Sequence, residues 1–249
     1  MIDFQNFGIE DNANFKSYLT LCIQIPSNLS PLFLLGRRES FEFKRGYEAN
    51  LCWHKFIRDG KEFWSAPVGD WDEINWQEVF GKHVPAGTVF DNVPEYLVNL
   101  WQHEFGEAIA VEENRDLWDY ILHLDRIEKL EGKKLKSFRQ WRNSFEKNYD
   151  YTVEEITPKI FDELRDFQMA AEENLQQRVE HLEDAKEDNK IFQLALKHWD
   201  ELNDLYGFVV RVDGKIVAYL IDELIDDINS IGLFGKADYN FKGINQFAY

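Results

Sequence analysis

Cysteine is scarce in this sequence: Cys22 and Cys52 are the only two, and they lie in different segments. That excludes a disulfide framework and any cysteine-based metal spacing, and it suits a reduced compartment. No apolar run approaches the roughly 20 residues that a bilayer-spanning helix needs. The opening Met1-Ile2-Asp3-Phe4 has neither the basic region nor the apolar core of a signal peptide. The expected location is the cytoplasm. Nucleotide and nucleophile signatures are missing as well. The chain has no Gly-x-x-x-x-Gly-Lys-Ser/Thr loop, no Gly-x-Ser-x-Gly elbow and no dinucleotide fingerprint. The six histidines are scattered, and His103-Glu104 opens like a zinc helix motif whose second ligand position holds Glu107. No metal is expected, and no catalytic base stands out.

What is abundant is acid. The net charge is −18, while 44% of residues are hydrophobic and 15% aromatic, enough for a buried core. Such a charge repels nucleic acid and anionic membrane on average, so an anionic partner has to dock on a local exception. One exists. Residues 125–147 hold eight Lys or Arg against four Asp or Glu, a local net of +4 that leaves −22 on the rest. Lys133, Lys136 and Arg139 are spaced three apart, with Lys134 and Arg142 beside them, so one helical face can present several cations to a phosphate or carboxylate. The same face could equally be solvated and paired with acidic helices nearby.

The patterns predict short helices over 11–21, 76–82 and 94–105, a strand over 48–57 and a second through Ala66 joined by an Asp59-Gly60 turn, and a short strand over 108–111. Residues 125–147 read as one long helix with Leu130, Leu135, Phe138, Trp141 and Phe145 as its apolar stripe, and Gly132 as a start or kink. A strand over 149–156 follows. Thr157-Pro158 then begins a helix running to about residue 180. Another helix spans 184–205. Strands at 208–212 and 215–221 flank Asp213-Gly214, a third covers 229–234, and a last element starts near Gly243. The two halves, 1–148 and 149–249, carry similar sequences of elements. Trp53, Trp64, Trp71 and Trp76 read as the core of the first half, with ligand stacking as the alternative. Glu172-Glu173 and residues 183–188 read as solvated helix faces.

Several segments together resemble one family. They are Glu62-Phe63-Trp64-Ser65-Ala66-Pro67-Val68-Gly69-Asp70-Trp71, Arg115-Asp116-Leu117-Trp118-Asp119-Tyr120, Leu130-Glu131-Gly132-Lys133-Lys134, Val212-Asp213-Gly214-Lys215-Ile216-Val217-Ala218 and Gly235-Lys236-Ala237-Asp238. In order and spacing they resemble the phosphatidylglycerol lysyltransferase C-terminal domain family, across essentially the whole chain. The resemblance implies an α+β fold of tandem GNAT-like (acyltransferase) lobes related to the Fem peptidyltransferases. It implies a transferase of acyl or aminoacyl groups to an amine or hydroxyl on a soluble or headgroup acceptor, with acyl-CoA or aminoacyl-tRNA as donor classes. Lys133, Lys134, Lys136, Arg139 and Arg142 would then bind the anionic donor, and Lys236, Asp238, Gly243 and Gln246 would line the cleft of the second lobe.

The chain departs from the family pattern in places. The lysine–arginine–asparagine–histidine of the family's basic helix falls on Phe138, Arg139, Gln140 and Trp141, so only the arginine is kept. Gly235 stands where an acidic residue is usual, and Asn245 where a tyrosine is. The second lobe, counted to Tyr249, lacks a fifth strand and reads as incomplete at its C-terminus. The alternative expectation is therefore a degenerate, non-catalytic relative that engages a basic partner through its acidic surface.

Overall fold

The computed structural model describes residues 2–176 and 182–248, with side chains throughout except 174–186. The expected helix end near residue 180, His181 and most of the face at 183–188 lie outside the described residues. The chain forms two compact units, Met1–Asp119 and Tyr120–Tyr249. Residues 120–148, expected with the first half, therefore belong to the second unit.

The first unit runs β1 (Gln5–Asn6), α1 (Asn12–Leu19), α2 (Pro31–Arg37), β2 (Lys44–Glu48), β3 (Leu51–Arg58), β4 (Lys61–Ser65), α3 (Trp76–His83), β5 (Phe90–Asp91) and α4 (Glu95–Phe105). The sheet order is β1-β2-β3-β4-β5. Neighbours are antiparallel until β4 and β5, which are parallel. Two helix starts are built from side chains: Ser30 Oγ accepts from the Phe33 amide at 3.2 Å ahead of Pro31, and Asn75 Oδ1 accepts from the Glu78 amide at 3.1 Å. The predicted strand over 48–57 begins in a turn: residues 51–57 lie in β3, and Glu48 ends β2, a strand the pattern did not predict. Ala49 and Asn50 both have positive φ, +54° and +58°, and turn the chain tightly between Glu48 and Leu51. The expected strand over 108–111 is a 3-10 turn and irregular chain; the strand in this part of the unit is β5. The tryptophans do form the core. Trp53, Trp64, Trp71 and Trp76 are buried, and the indole N–H groups of Trp71 and Trp76 donate to the carbonyls of Pro67 and Trp71.

The second unit runs α5 (Leu124–Lys129), α6 (Lys136–Asn148), β6 (Tyr151–Glu155), α7 (Phe161–Gln176), α8 (Leu182–Lys197), α9 (Trp199–Leu202), β7 (Leu205–Val212), β8 (Lys215–Leu224), β9 (Ser230–Ala237) and α10 (Ile244–Ala248). Its sheet is antiparallel in the order β6-β7-β8-β9. Successive residues of β8 serve opposite faces. Ala218 packs with Phe145 of α6 and Ile244 of α10, whereas Tyr219 meets Phe167 of α7 and Phe192 of α8. Arg211 of β7 clamps the edge: it donates to Glu154 of β6 at 2.6 Å and, with both terminal nitrogens, to Glu163 of α7. Both units thus pass through strand, two helices, three antiparallel strands and a helix, apart from the single turn of α9. The described residues of the second sheet hold four strands, those of the first five.

Candidate functional site

The predicted long basic helix is broken, and the break shapes the site. Leu130 takes a left-handed conformation (φ +45°, ψ +38°) at the end of α5, and Gly132 follows at φ +92°. The chain then turns through residues 131–135 before α6 begins at Lys136. Leu130 is buried and pins the loop. The break leaves the last carbonyls of α5 without helical partners, and two arginines of α6 take them up. Arg139 Nη1 donates to the carbonyls of Leu130 and Gly132, the latter at 3.1 Å, and Arg142 Nη1 donates to the Glu128 carbonyl at 3.1 Å. Cations at a helix C-terminus also oppose its partial negative charge.

The basic cluster therefore divides by function. Arg139 and Arg142 hold the loop, whereas Lys133, Lys134 and Lys136 are exposed. Beside the loop lies a solvent-open recess of about 600 Å³, bordered by Arg126, Lys129, Lys133 and Lys134 with Asp125 and Glu131. None of these four cations takes part in an ion pair among the described residues. Substituting Arg139 by lysine keeps the charge but loses the planar guanidinium whose Nη1 serves both carbonyls. Amides of residues 130–135 should then exchange with solvent at least several-fold faster while those of β7 and β8 hold their protection, as hydrogen-exchange mass spectrometry would read. Unchanged exchange in the loop would mean Arg139 does not hold it.

The second predicted group assembles elsewhere in the unit, around the end of β9 and the start of α10. Lys236 lies on β9 opposite Tyr219. Asp238 makes a turn: its amide donates to the Val217 carbonyl at 2.8 Å, and its carboxylate accepts from the Asn240 amide at 3.0 Å. Gly243 sits at φ +90° where a Cβ would stand 2.2 Å from the Trp141 carbonyl oxygen, so its role is close backbone packing. Gln246 is half-buried on α10. No hydrogen bond or ion pair among the described residues joins this group to Lys133 or Lys134.

One polar chain escaped the sequence reading. The Tyr219 hydroxyl donates to Gln168 Oε1, and Gln168 Nε2 donates to Glu172 Oε1 at 2.5 Å. Gln168 and Tyr219 are fully buried. Burial holds the Glu172 carboxyl above its usual range, against the lowering influence of Gln168 and of the Lys236 ammonium. Glu172 is thus half-buried, not part of a solvated face, whereas Glu173 is exposed. The available signal was the spacing Ile160, Leu164, Gln168, Glu172, which places both polar residues on the stripe that faces the sheet. His103 is well exposed beside Glu104, and no cluster of three His, Cys, Asp or Glu fit to hold a metal occurs among the described residues.

These features define a mixed α+β protein of two sheets with an open, lysine-rimmed recess on its second unit. Residues 25–249 match the sequence profile of the family described as phosphatidylglycerol lysyltransferase, C-terminal, and the chain belongs to that family. No curated protein matches it. Two solved structures share the fold. One is a conserved protein of unknown function from Bacteroides thetaiotaomicron VPI-5482, at 21% identity and a TM-score of 0.84 over 99% of this chain and 85% of that one. The other is the C-terminal domain (DUF2156) of a candidate lysylphosphatidylglycerol synthetase from Agrobacterium fabrum, at 16% identity and a TM-score of 0.53 over 95% of this chain and 72% of that one. Among the described residues no helix is long and apolar enough to cross a membrane.

Proposed function

We propose that the chain is a transferase that moves an acyl or aminoacyl group onto an amine or hydroxyl, with its anionic donor held at the recess beside Lys133 and Lys134. Family membership carries the reaction class. The sheet of the first unit supports a GNAT-like acyltransferase reading, because four antiparallel strands end in a parallel β4–β5 pair, and the second unit repeats the same order of elements up to α10. Such transfer asks little covalent work of the protein. It needs the donor's anionic part fixed and the acceptor's nucleophile brought to the carbonyl. Exposed lysines next to an open recess supply the first of these, since their ammonium groups reach a phosphate as point charges without a fixed geometry.

The test follows from the division of labour at the loop. Arg139 is committed to carbonyls, so the informative change is Lys133→Glu with Lys134→Glu. Binding of an acyl-CoA or an aminoacyl-tRNA, followed by titration calorimetry, should weaken by about tenfold or more, since two reversed charges each remove roughly a kcal/mol or more near a phosphate. Unchanged affinity would remove the recess as donor site. A second reading has one observation in its favour: the one residue kept of the family's lysine–arginine–asparagine–histidine run, Arg139, is spent on the loop carbonyls. On that reading the chain binds a basic partner through its acidic surface and shows no turnover with either donor.

A further inference from the structure

The start of the second unit exposes an unusual amount of apolar surface. Tyr120 is 95% exposed, Ile121 80%, Leu122 66% and Leu124 76%. Single exposed apolar residues are ordinary, but four within five positions form a contiguous patch, and such patches mark surfaces that meet something. The cations come next. Residues 120–136 carry Arg126, Lys129, Lys133, Lys134 and Lys136 against Asp125, Glu128 and Glu131, while the rest of the chain carries −20. All five cations are exposed. A second copy of this chain, at −20 outside the segment, could meet the lysines with carboxylates, but it would leave Tyr120 to Leu124 to find apolar cover on a strongly acidic body. One partner offers both chemistries side by side at any orientation: an apolar interior a few ångströms beneath a layer of negative charge.

We propose that residues 120–136 are an interfacial segment that docks this chain on the surface of an anionic bilayer. Ile121, Leu122 and Leu124 enter the boundary between headgroups and acyl chains. Tyr120 sits at headgroup depth, where amphipathic aromatic side chains are favoured. Arg126 and Lys129 meet the phosphates, the arrangement that juxtamembrane basic segments use, and leave Lys133 and Lys134 to the donor. The segment would also be the local exception that lets a −18 chain approach a surface of its own sign. This deepens the proposed function, because it sets the same lysine-rimmed recess at the membrane surface, within reach of lipid-headgroup acceptors. It does not depend on turnover.

Co-sedimentation with phosphatidylcholine vesicles, alone or mixed equally with phosphatidylserine or phosphatidylglycerol, tests it on the full chain. Binding should appear with both anionic lipids to a similar degree, be absent with phosphatidylcholine alone, and fall with added salt. Ile121→Asp with Leu122→Asp should reduce it at least about tenfold, as two charged groups are placed where apolar ones were buried. Arg126→Glu with Lys129→Glu should reduce it comparably. Both pairs change exposed positions, and circular dichroism confirms that each variant is folded. As an independent reading, Tyr120→Trp should give a blue-shifted emission on adding anionic vesicles. Three results would overturn the proposal: no vesicle binding, binding that survives Ile121→Asp with Leu122→Asp, or a concentration-dependent dimer that this pair abolishes, which would assign the patch to a second copy. A chain that transfers to a soluble acceptor yet ignores vesicles refutes the docking alone. One that binds vesicles yet transfers nothing refutes the transferase alone.

Discussion

Replacing Gly243 with alanine should destabilise the second unit by about 3 kcal/mol, the sum of roughly 1–2 for a left-handed non-glycine residue and 1–3 for forced overpacking. The penalty is local and steric. Gly243 has φ +90°, and an added Cβ would lie 2.2 Å from the carbonyl oxygen and 3.0 Å from the carbonyl carbon of Trp141, and 3.2 Å from Phe145 Cβ. Two of these three neighbours are helix backbone, which cannot swing aside. Relief would come only from lifting α10 off α6. That separation would expose Ile244, undo the packing of Phe247 against Phe145 and Tyr151 at 4.8 and 4.6 Å, and break the hydrogen bond from the Lys242 amide to the Tyr149 hydroxyl. Gly214 provides the control. It has φ +77° in the β7–β8 turn, and nothing lies within 4 Å of its absent Cβ. Gly214→Ala should therefore cost only about 1 kcal/mol, from backbone strain alone. Urea unfolding of the two variants measures the difference. Equal losses would mean that the α6–α10 approach is not tight in solution.

Gly243 also shows where the sequence was readable and where it was not. The family resemblance implies a cleft residue, and its conformation and neighbours add a tight backbone packing that the sequence did not announce. The Asp-Gly pairs were readable because both residues of a two-residue hairpin turn need positive φ, and Asp59, Gly60, Asp213 and Gly214 all have it. Ala49-Asn50 makes the same kind of turn, but alanine carries no such preference, so the expected strand ran through the turn and β2 went unread. The two-residue β5 gives no periodic signal at all. In the basic segment, the helical spacing of Leu135, Phe138, Trp141 and Phe145 was real. Even so, Phe138 and Trp141 are exposed, and only Phe145 of these four is buried. Spacing identifies a stripe, whereas burial depends on what packs against it, here the second sheet and α10 at the Phe145 end. The split between holding arginines and free lysines was invisible for a related reason. Which cations turn inward is decided by the orphan carbonyls of α5, and those exist only because Leu130 and Gly132 break the helix. Net charge, by contrast, adds along the chain whatever the fold, so the +4 of residues 125–147 against −22 elsewhere is legible in composition alone.

A buried histidine makes the first unit sensitive to acid. His54 on β3 is fully buried, with the Phe15 ring edge-on at 5.1 Å, the Phe43 ring stacked at 5.5 Å and Cys52 Sγ 3.3 Å from Nε2. Its cross-strand neighbour on β2 is Arg45, paired with Asp11 ahead of α1, and Tyr47 faces Cys52 across the same hairpin. Burial, and secondarily the Arg45 guanidinium, press the imidazole from 6.5 down to about 3, against a backbone hydrogen bond at Ala66 that favours the charged form. The thiol of Cys52 is pushed the other way by the same burial, up to about 12, so it stays protonated beside a neutral ring. In the unfolded chain His54 titrates near 6.5. Between that value and 3 the unfolded state binds a proton that the folded state refuses, so stability falls as pH drops through this window and levels off below it. At pH 4.5 the loss relative to pH 7 from this one residue should be about 2–3 kcal/mol, from two decades of differential protonation. His54→Gln removes the titration while leaving the carboxylates as they were. The variant carries a constant cost from its altered packing. Between pH 7 and 4.5, however, it should lose about 2–3 kcal/mol less than the parent chain, as urea unfolding at the two pH values would show. A parallel loss in both proteins would mean that the imidazole can charge within the fold, by drawing water or Asp11 toward it.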